Sequence, residues 1–223
     1  PTPEPTPRPT PSRAGGLEGC LKAEFLLDSD GYAVQEDNYY WLKNTIDGTH
    51  IWDRPFLDVG KRYEDSSCID PSSCAVMYIE DNYGDGAGRM RFQYDGNSVY
   101  DHPEESDANS FGRAFVAAVG DGCGKQVTLG LELTADRWVV SEKSGFRLRN
   151  VSTNEYVLSI DTLGVNQRYQ LSEELNIDDC YQVEWNDNYG DGIGALKLTL
   201  NDLVTFDGLT NGYTGHITVG SGC

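Results

Sequence analysis

The sequence predicts an all-β protein: two tandem immunoglobulin-like or jelly-roll-like β-sandwich domains behind an extended, polyproline-rich N-terminal arm. Three observations lead there. The 223 residues include 25 Gly, 13 Tyr and 4 Trp but only 2 Met, pairing strand-forming aromatics with glycine-rich turns. The chain repeats itself at a fixed offset. Apolar residues recur at every second position in both copies.

The repeat is read directly. Adding 106 to Asp30, Glu36, Leu42, Asn44 and Cys74 lands on Asp136, Glu142, Leu148, Asn150 and Cys180 without a gap. The same shift carries Asp81-Asn82-Tyr83-Gly84-Asp85-Gly86 onto Asp187-Asn188-Tyr189-Gly190-Asp191-Gly192, and Gly88 onto Gly194. Each copy closes on a strand and a cysteine, Arg113 to Gly120 before Cys123 and Tyr213 to Gly220 before Cys223. The expected units are therefore an arm at 1–16, repeat 1 at 17–123 and repeat 2 at 124–223.

Within each copy the alternation is legible at Leu21, Ala23, Phe25 and Leu27, and again at Val127, Leu129, Leu131 and Leu133. Further strand-like runs cover Tyr39 to Lys43, Cys74 to Glu80, Arg89 to Tyr94 and Phe111 to Val119. Their counterparts are Gly145 to Arg149, Cys180 to Trp185, Ala195 to Leu200 and Thr214 to Val219. About seven short strands per ~100 residues is the spacing of a sandwich, with the strand order left open.

The arm, PTPEPTPRPTPSRAGG, has Pro at every second position from Pro1 to Pro11. Proline removes backbone donors and favours the polyproline II conformation, so the Pro/Thr part would reach roughly 35 Å at about 3.1 Å per residue. It is a passive linker or a docking arm laid on a neighbouring subunit or on its own domains.

Six cysteines, at 20, 68, 74, 123, 180 and 223, show none of the paired short spacings of zinc sites, so disulfides and an oxidising, extracellular or cell-surface location are expected. If equivalent cysteines do equivalent work, Cys74 pairs with Cys123 and Cys180 with Cys223, leaving Cys20 for Cys68. Each bridge would stabilise its domain by about 3 to 4 kcal/mol on the chain-entropy account. With 36 acidic against 17 basic residues the net charge is -19, which repels phosphate backbones and anionic lipid and favours divalent cations as partners over nucleic acid. No apolar run approaches the ~20 residues of a membrane span. No signal peptide is seen, and the expectation is a mature or partial product.

The motif with the most chemistry is the repeated DNYGDG turn. Its glycines permit positive φ, and Asp81 with Asp85, or Asp187 with Asp191, can converge with backbone carbonyls on Ca²⁺, a hard cation wanting 6 to 8 oxygens. The spacing departs from an EF-hand loop, because position three is Tyr83 or Tyr189 and position twelve is Phe92 or Leu198 where a bidentate Glu is required. The candidate calcium residues are therefore Asp81, Tyr83, Asp85, Asp187, Tyr189 and Asp191. Asp30, Glu36, Asp136 and Glu142 are additional candidates, taken to lie at the far end of a first hairpin. The competing reading is that Asp, Asn and Gly are simply good turn formers.

The run from Asp30 to Glu36 into an apolar strand, then Cys74, a strand and DNYGDG, resembles the D-x-Y-G-D-G β-sandwich repeats of secreted and cell-surface proteins of algae, other protists and some bacteria. The resemblance covers Cys20 to Cys223 and leaves out the arm. It implies an extracellular, architectural or adhesive role. Family members carry an aromatic and a Pro near the Asp-to-Glu stretch; Tyr32 and Trp138 match the aromatic, while Ala33 and Val139 stand where Pro would be.

Asn150-Val151-Ser152 is the one N-glycosylation sequon, expected in an exposed loop, and Thr2, Thr6, Thr10 and Ser12 among the prolines resemble O-glycosylated stalks. Tyr39-Tyr40-Trp41 could form a sugar platform, although alternating strand aromatics more often enter the core. His50, His102 and His216 occupy no repeated position and no nucleophile motif occurs, so no enzymatic activity is expected. The expected function is a structural or adhesive subunit of a glycosylated fibril, appendage or matrix, self-assembling through its arm. The alternative is a pair of carbohydrate-binding modules in a secreted multi-domain protein.

Overall fold

A computed structural model describes residues 19–84, 86–102, 112–210 and 212–223. The arm, with Thr2, Thr6, Thr10 and Ser12, and also Asp85, lies outside the described residues. The first copy contains β1 (Leu21–Ser29), β2 (Tyr39–Asn44), β3 (His50–Arg54), β4 (Arg62–Ile69), β5 (Ala75–Glu80), β6 (Gly88–Tyr94), β7 (Asn97–His102) and β8 (Ala114–Val119). The second contains β9 (Gln126–Ala135), a single helical turn α1 (Val139–Glu142), β10 (Gly145–Asn150), β11 (Glu155–Ile160), β12 (Arg168–Asn176), β13 (Tyr181–Asn186), β14 (Gly194–Leu200), β15 (Leu203–Leu209) and β16 (Thr214–Val219). No helix among the described residues is long and apolar enough to cross a membrane.

Each copy folds into two antiparallel four-stranded sheets. They are ordered β4-β1-β6-β7 and β3-β2-β5-β8 in the first, and β12-β9-β14-β15 and β11-β10-β13-β16 in the second. The protein is thus an all-β sandwich fold with eight strands per copy among the described residues, the jelly-roll number, where the sequence suggested seven. Consecutive strands share a sheet only at β2–β3 and β6–β7 and their counterparts; elsewhere the chain crosses between sheets.

The period-two residues meet in the middle. Phe25 and Leu27 of β1, Met90 and Phe92 of β6, Tyr40 and Leu42 of β2, and Met77 and Ile79 of β5 form one buried cluster. Phe25 stands 4.5 Å from Tyr40 and 6.5 Å from Phe92 between ring centroids. Tyr40 and Trp41 are buried, so this triplet serves the core. In the second copy Leu129, Leu131 and Leu133 meet Phe146, Leu148, Val183 and Trp185 in the same way.

The copies agree in detail. Register shifts fall between Leu42 and Lys43 and between Leu148 and Arg149, and again at Phe92/Gln93 and Leu198/Thr199, each pair one repeat apart. The β6–β7 hairpin turns through Asp95 (φ 49°) and Gly96 (φ 73°), and β14–β15 through Asn201 (φ 47°) and Asp202 (φ 64°), the doubly positive turn that suits strand twist. Three disulfides join Cys20–Cys68, Cys74–Cys123 and Cys180–Cys223 with Cα separations of 5.5, 4.6 and 4.6 Å, the last two as the repeat requires and the first from the cysteines left over.

The two sandwiches touch where β8 meets β16. Arg113 N–H donates to His216 O at 2.8 Å and Gly220 N–H to Val116 O at 2.9 Å. Strands β5 and β8 are buried on both faces. Met77, Ile79, Phe115 and Ala117 face their own core, while Trp41, Val76, Tyr78 and Val116 belong to a cluster continuous with the core of the second copy.

Candidate metal centre

Sheet register brings the two acidic segments of each copy together. Ser29 pairs with Gly88 and Tyr39 with Glu80; in the second copy Ala135 pairs with Gly194 and Gly145 with Asn186. The β1–β2 and β5–β6 connections therefore lie side by side at one end of the sandwich, as do β9–β10 and β13–β14. The Asp30–Glu36 and Asp136–Glu142 stretches are sheet-to-sheet crossovers and close no hairpin, because β1 and β2, like β9 and β10, belong to different sheets. This corrects their expected position: they lie beside the DNYGDG turns.

Each crossover is a tight turn capped by its first aspartate. Asp136 Oδ1 accepts Trp138 N–H at 2.7 Å and Val139 N–H at 3.1 Å, and Asp30 Oδ1 accepts Tyr32 N–H at 2.8 Å. The turn ends in a left-handed residue, Lys143 (φ 54°) or Asp37 (φ 53°), just after the glutamate. Asp30 and Asp136 thus shape the crossovers, and Glu36 and Glu142 are left buried behind them.

The DNYGDG turns are organised by their first carboxylate. Asp187 Oδ1 accepts Tyr189 N–H at 3.0 Å, and its Oδ2 accepts Gly190 N–H at 2.7 Å and Gly192 N–H at 2.8 Å. Asp81 does the same for Tyr83, Gly84 and Gly86 at 2.9, 3.1 and 2.6 Å. Gly194, at φ 122°, is required as glycine, since a Cβ there would lie 2.1 Å from Thr134 O; at Gly88 it would lie 2.3 Å from Asp28 O. Turn-forming and ligand roles therefore coexist in one residue. A carboxylate offers about four lone-pair directions, and in Asp187 the one that the three N–H groups leave is engaged by the Glu142 carboxyl.

In the second copy the acids converge. One ligand oxygen from each of Glu142, Asp187 and Asp191 lies within 4.8 Å of the others. Glu142 is only 4 % exposed, and its Oε2 is buried without a hydrogen-bond partner. Desolvation, then the charges of Asp187, Asp191 and Asp136, push its carboxyl up to about 7. Burial alone would raise Asp187 too, but its backbone N–H bonds outweigh that and hold it below the usual carboxylate range. Among the described residues no Lys or Arg pairs with these three.

The remaining candidates fall as follows. Tyr83 and Tyr189 turn their rings to solvent, Tyr189 being 73 % exposed, and enter the turns through their N–H groups, so neither ring is a ligand. Glu36 is buried and its Oε2 accepts Asn38 Nδ2–H at 3.1 Å. Asn150 ends β10 and is 9 % exposed, its Oδ1 accepting Thr153 N–H at 3.1 Å and its Nδ2 lying 3.5 Å from Asp179 Oδ2. The expected exposed loop follows at once, in the turn at 151–154, but Asn150 itself is the buried last residue of the strand and a glycan would have to replace these contacts.

Sequence reasoning passed over Arg113, which stands at the first-copy turn. Its carbonyl accepts Asp81 N–H at 2.9 Å and its guanidinium donates to Asn82 Oδ1 at 3.0 Å. The signal was present: the offset of 100 that pairs Cys123 with Cys223 also pairs Arg113 with Tyr213.

No protein-family model and no curated protein matches the chain. Among solved structures it is similar to the calcium-bound tandem C2 domains of Extended-Synaptotagmin 2, at 9% identity over 91% of this chain and 96% of that one, with a TM-score of 0.20. A likeness at that score carries no argument.

Proposed function

We propose that the chain is a calcium-loaded extracellular structural or adhesive module, a stapled pair of sandwiches that self-assembles partly through residues 1–16. The observation that carries the calcium reading is Glu142, a buried carboxylate whose Oε2 has no partner and which faces Asp187 and Asp191. Three acids so close repel one another, two of them buried, and a divalent cation removes both the repulsion and the unpartnered oxygen. An all-oxygen set without His or Cys suits Ca²⁺ better than Zn²⁺, and a site with Asp191 at the surface fits the ~10⁻⁴–10⁻³ M affinities of extracellular modules. Three disulfides support an oxidising compartment, and the acidic surface supports cation-rich surroundings.

The test is thermal unfolding with calcium and with chelator. Calcium should raise the midpoint, by the equivalent of about 2.7 kcal/mol at a hundred times the dissociation constant. Glu142→Gln should abolish the response and make the metal-free protein more stable. An unchanged wild-type midpoint would sink the calcium reading. Electron microscopy of the same preparations, with and without residues 1–12, tests assembly: filaments are expected from the full chain and dispersed particles from the shortened one.

One observation favours carbohydrate binding as a second reading. Tyr189, Tyr213 and Trp138 expose their rings on segments at or next to the acidic cluster, where apolar sugar faces could stack. Dispersed full-length particles would bring it forward.

A further inference from the structure

We propose that the two DNYGDG turns are unequal, the second taking one divalent cation while in the first the guanidinium of Arg113 stands as a fixed counter-ion in its place, so that the chain binds one ion and not two. This rests on the calcium reading above. The turns are identical in sequence, and Asp81 and Asp187 make the same three N–H contacts. Among the described residues, what differs is the one beside each turn.

Arg113 and Tyr213 occupy the same backbone position, since Asp81 N–H donates to Arg113 O at 2.9 Å and Asp187 N–H to Tyr213 O at 2.7 Å. Both side chains lie over their turns, the Tyr213 ring 2.8 Å from where a Cβ on Gly190 would stand, but they differ in charge and burial. Arg113 is 6 % exposed and lies over the first turn, its Cγ 3.3 Å from where a Cβ on Gly84 would stand, with a guanidinium nitrogen on Asn82 Oδ1 at 3.0 Å. Its Nε is buried without a partner. A guanidinium is held in so dry a place only where anions compensate it, and Glu80 and Asp81 supply the charge. Tyr213 is 65 % exposed and brings no charge; Asn188 is exposed where Asn82 is half-buried.

The glutamates differ in the same sense. Glu36 Oε2 has Asn38 as a donor, whereas position 144 is Ser and Glu142 Oε2 has none. Buried Ser144 Oγ is itself unpartnered. The first-copy glutamate oxygen thus has a protein donor where the second-copy one has none, while the side-chain oxygen two residues on, Asn38 Oδ1 or Ser144 Oγ, is buried without a partner in both. Arg137 and Lys143, next in sequence to the second-copy acids, are exposed, and Arg137 lies 4.8 Å over the Trp138 ring. Neither reaches inward to take the cation's place.

The experiment counts ions by isothermal titration with Ca²⁺ on the full chain, with circular dichroism to verify folding. The wild type should bind one ion, Tyr213→Arg should weaken that binding at least tenfold, and Arg113→Tyr should open a second site. Tyr213 is exposed, so its substitution keeps the test decisive even if Arg113→Tyr fails to fold. Two wild-type ions, or unchanged binding in Tyr213→Arg, would overturn the inference and leave the calcium reading standing. No ion at all would overturn both.

Discussion

A buried carboxylate that accepts three backbone N–H bonds is worth more to a turn than any one of those bonds suggests. In Asp81 and Asp187 it fixes three donors that no strand could satisfy. Asp81→Asn replaces one acceptor oxygen by a donor facing other donors, and should cost about 2 to 3 kcal/mol in urea unfolding. A loss below about 0.5 kcal/mol, the range of ordinary surface changes, would show that the turn does not depend on the charge. The sequence showed these aspartates clearly, because six identities recur in the repeat. It did not show that their oxygens serve the turn first, which depends on the positive φ of Gly84, Gly86 and their counterparts. For Arg113 the offset of 100 marked a difference from Tyr213, but nothing in its neighbours announces that the guanidinium is buried.

At the scale of elements, the central strands were legible, as were β8 and β16, which meet between the copies, while the other edge strands were not. β1, β2, β5, β6, β9, β10, β13 and β14 lie inside their sheets and carry the apolar alternation that periodicity detects. β3, β4, β11 and β12 are edges whose residues are mostly exposed or half-buried, such as the Glu155–Ile160 and Arg168–Asn176 runs. Edges carry charge to discourage pairing with other chains, and the charge hides the strand. One such charge also clips the sandwich shut. Asp65 of β4 accepts bonds from Arg54 of β3 at 2.7 and 3.2 Å and from Tyr40 Oη at 2.5 Å, joining the edges of opposite sheets. Burial alone would raise the Asp65 carboxyl, but Arg54 and Tyr40 outweigh it and hold it below its ordinary value. A depressed carboxyl contributes stability above its unfolded pKa of about 3.9 and loses it as pH falls through and below that value. Asp65→Asn should therefore cost about 1 to 3 kcal/mol at pH 7 and much less near pH 2, measured by urea unfolding at each pH.

For the whole molecule, the shared cluster predicts that the two copies unfold as one unit. Val76, Tyr78 and Val116 of the first join Leu131, Phe146 and Ile217 of the second in continuous buried contact. Unfolding should be a single transition with equal calorimetric and van't Hoff enthalpies, and Val116→Asp, a charge without a partner in that cluster, should lower it as a whole. Two resolved transitions would mean that the copies fold independently. From the sequence alone came the repeat, the three disulfide pairs, the glycine-dependent turns and the apolar alternation. Each is a local pattern, or a comparison of the chain with itself at constant offset. Only the tertiary structure decided that Glu142 stands beside Asp187, that a buried Arg113 covers one turn and an exposed Tyr213 ring the other, and that β5 and β8 are buried on both faces. Those facts depend on which crossovers share an end of the sandwich and on which sheet face is covered. Both are set by packing between residues far apart in sequence, where no periodicity reaches.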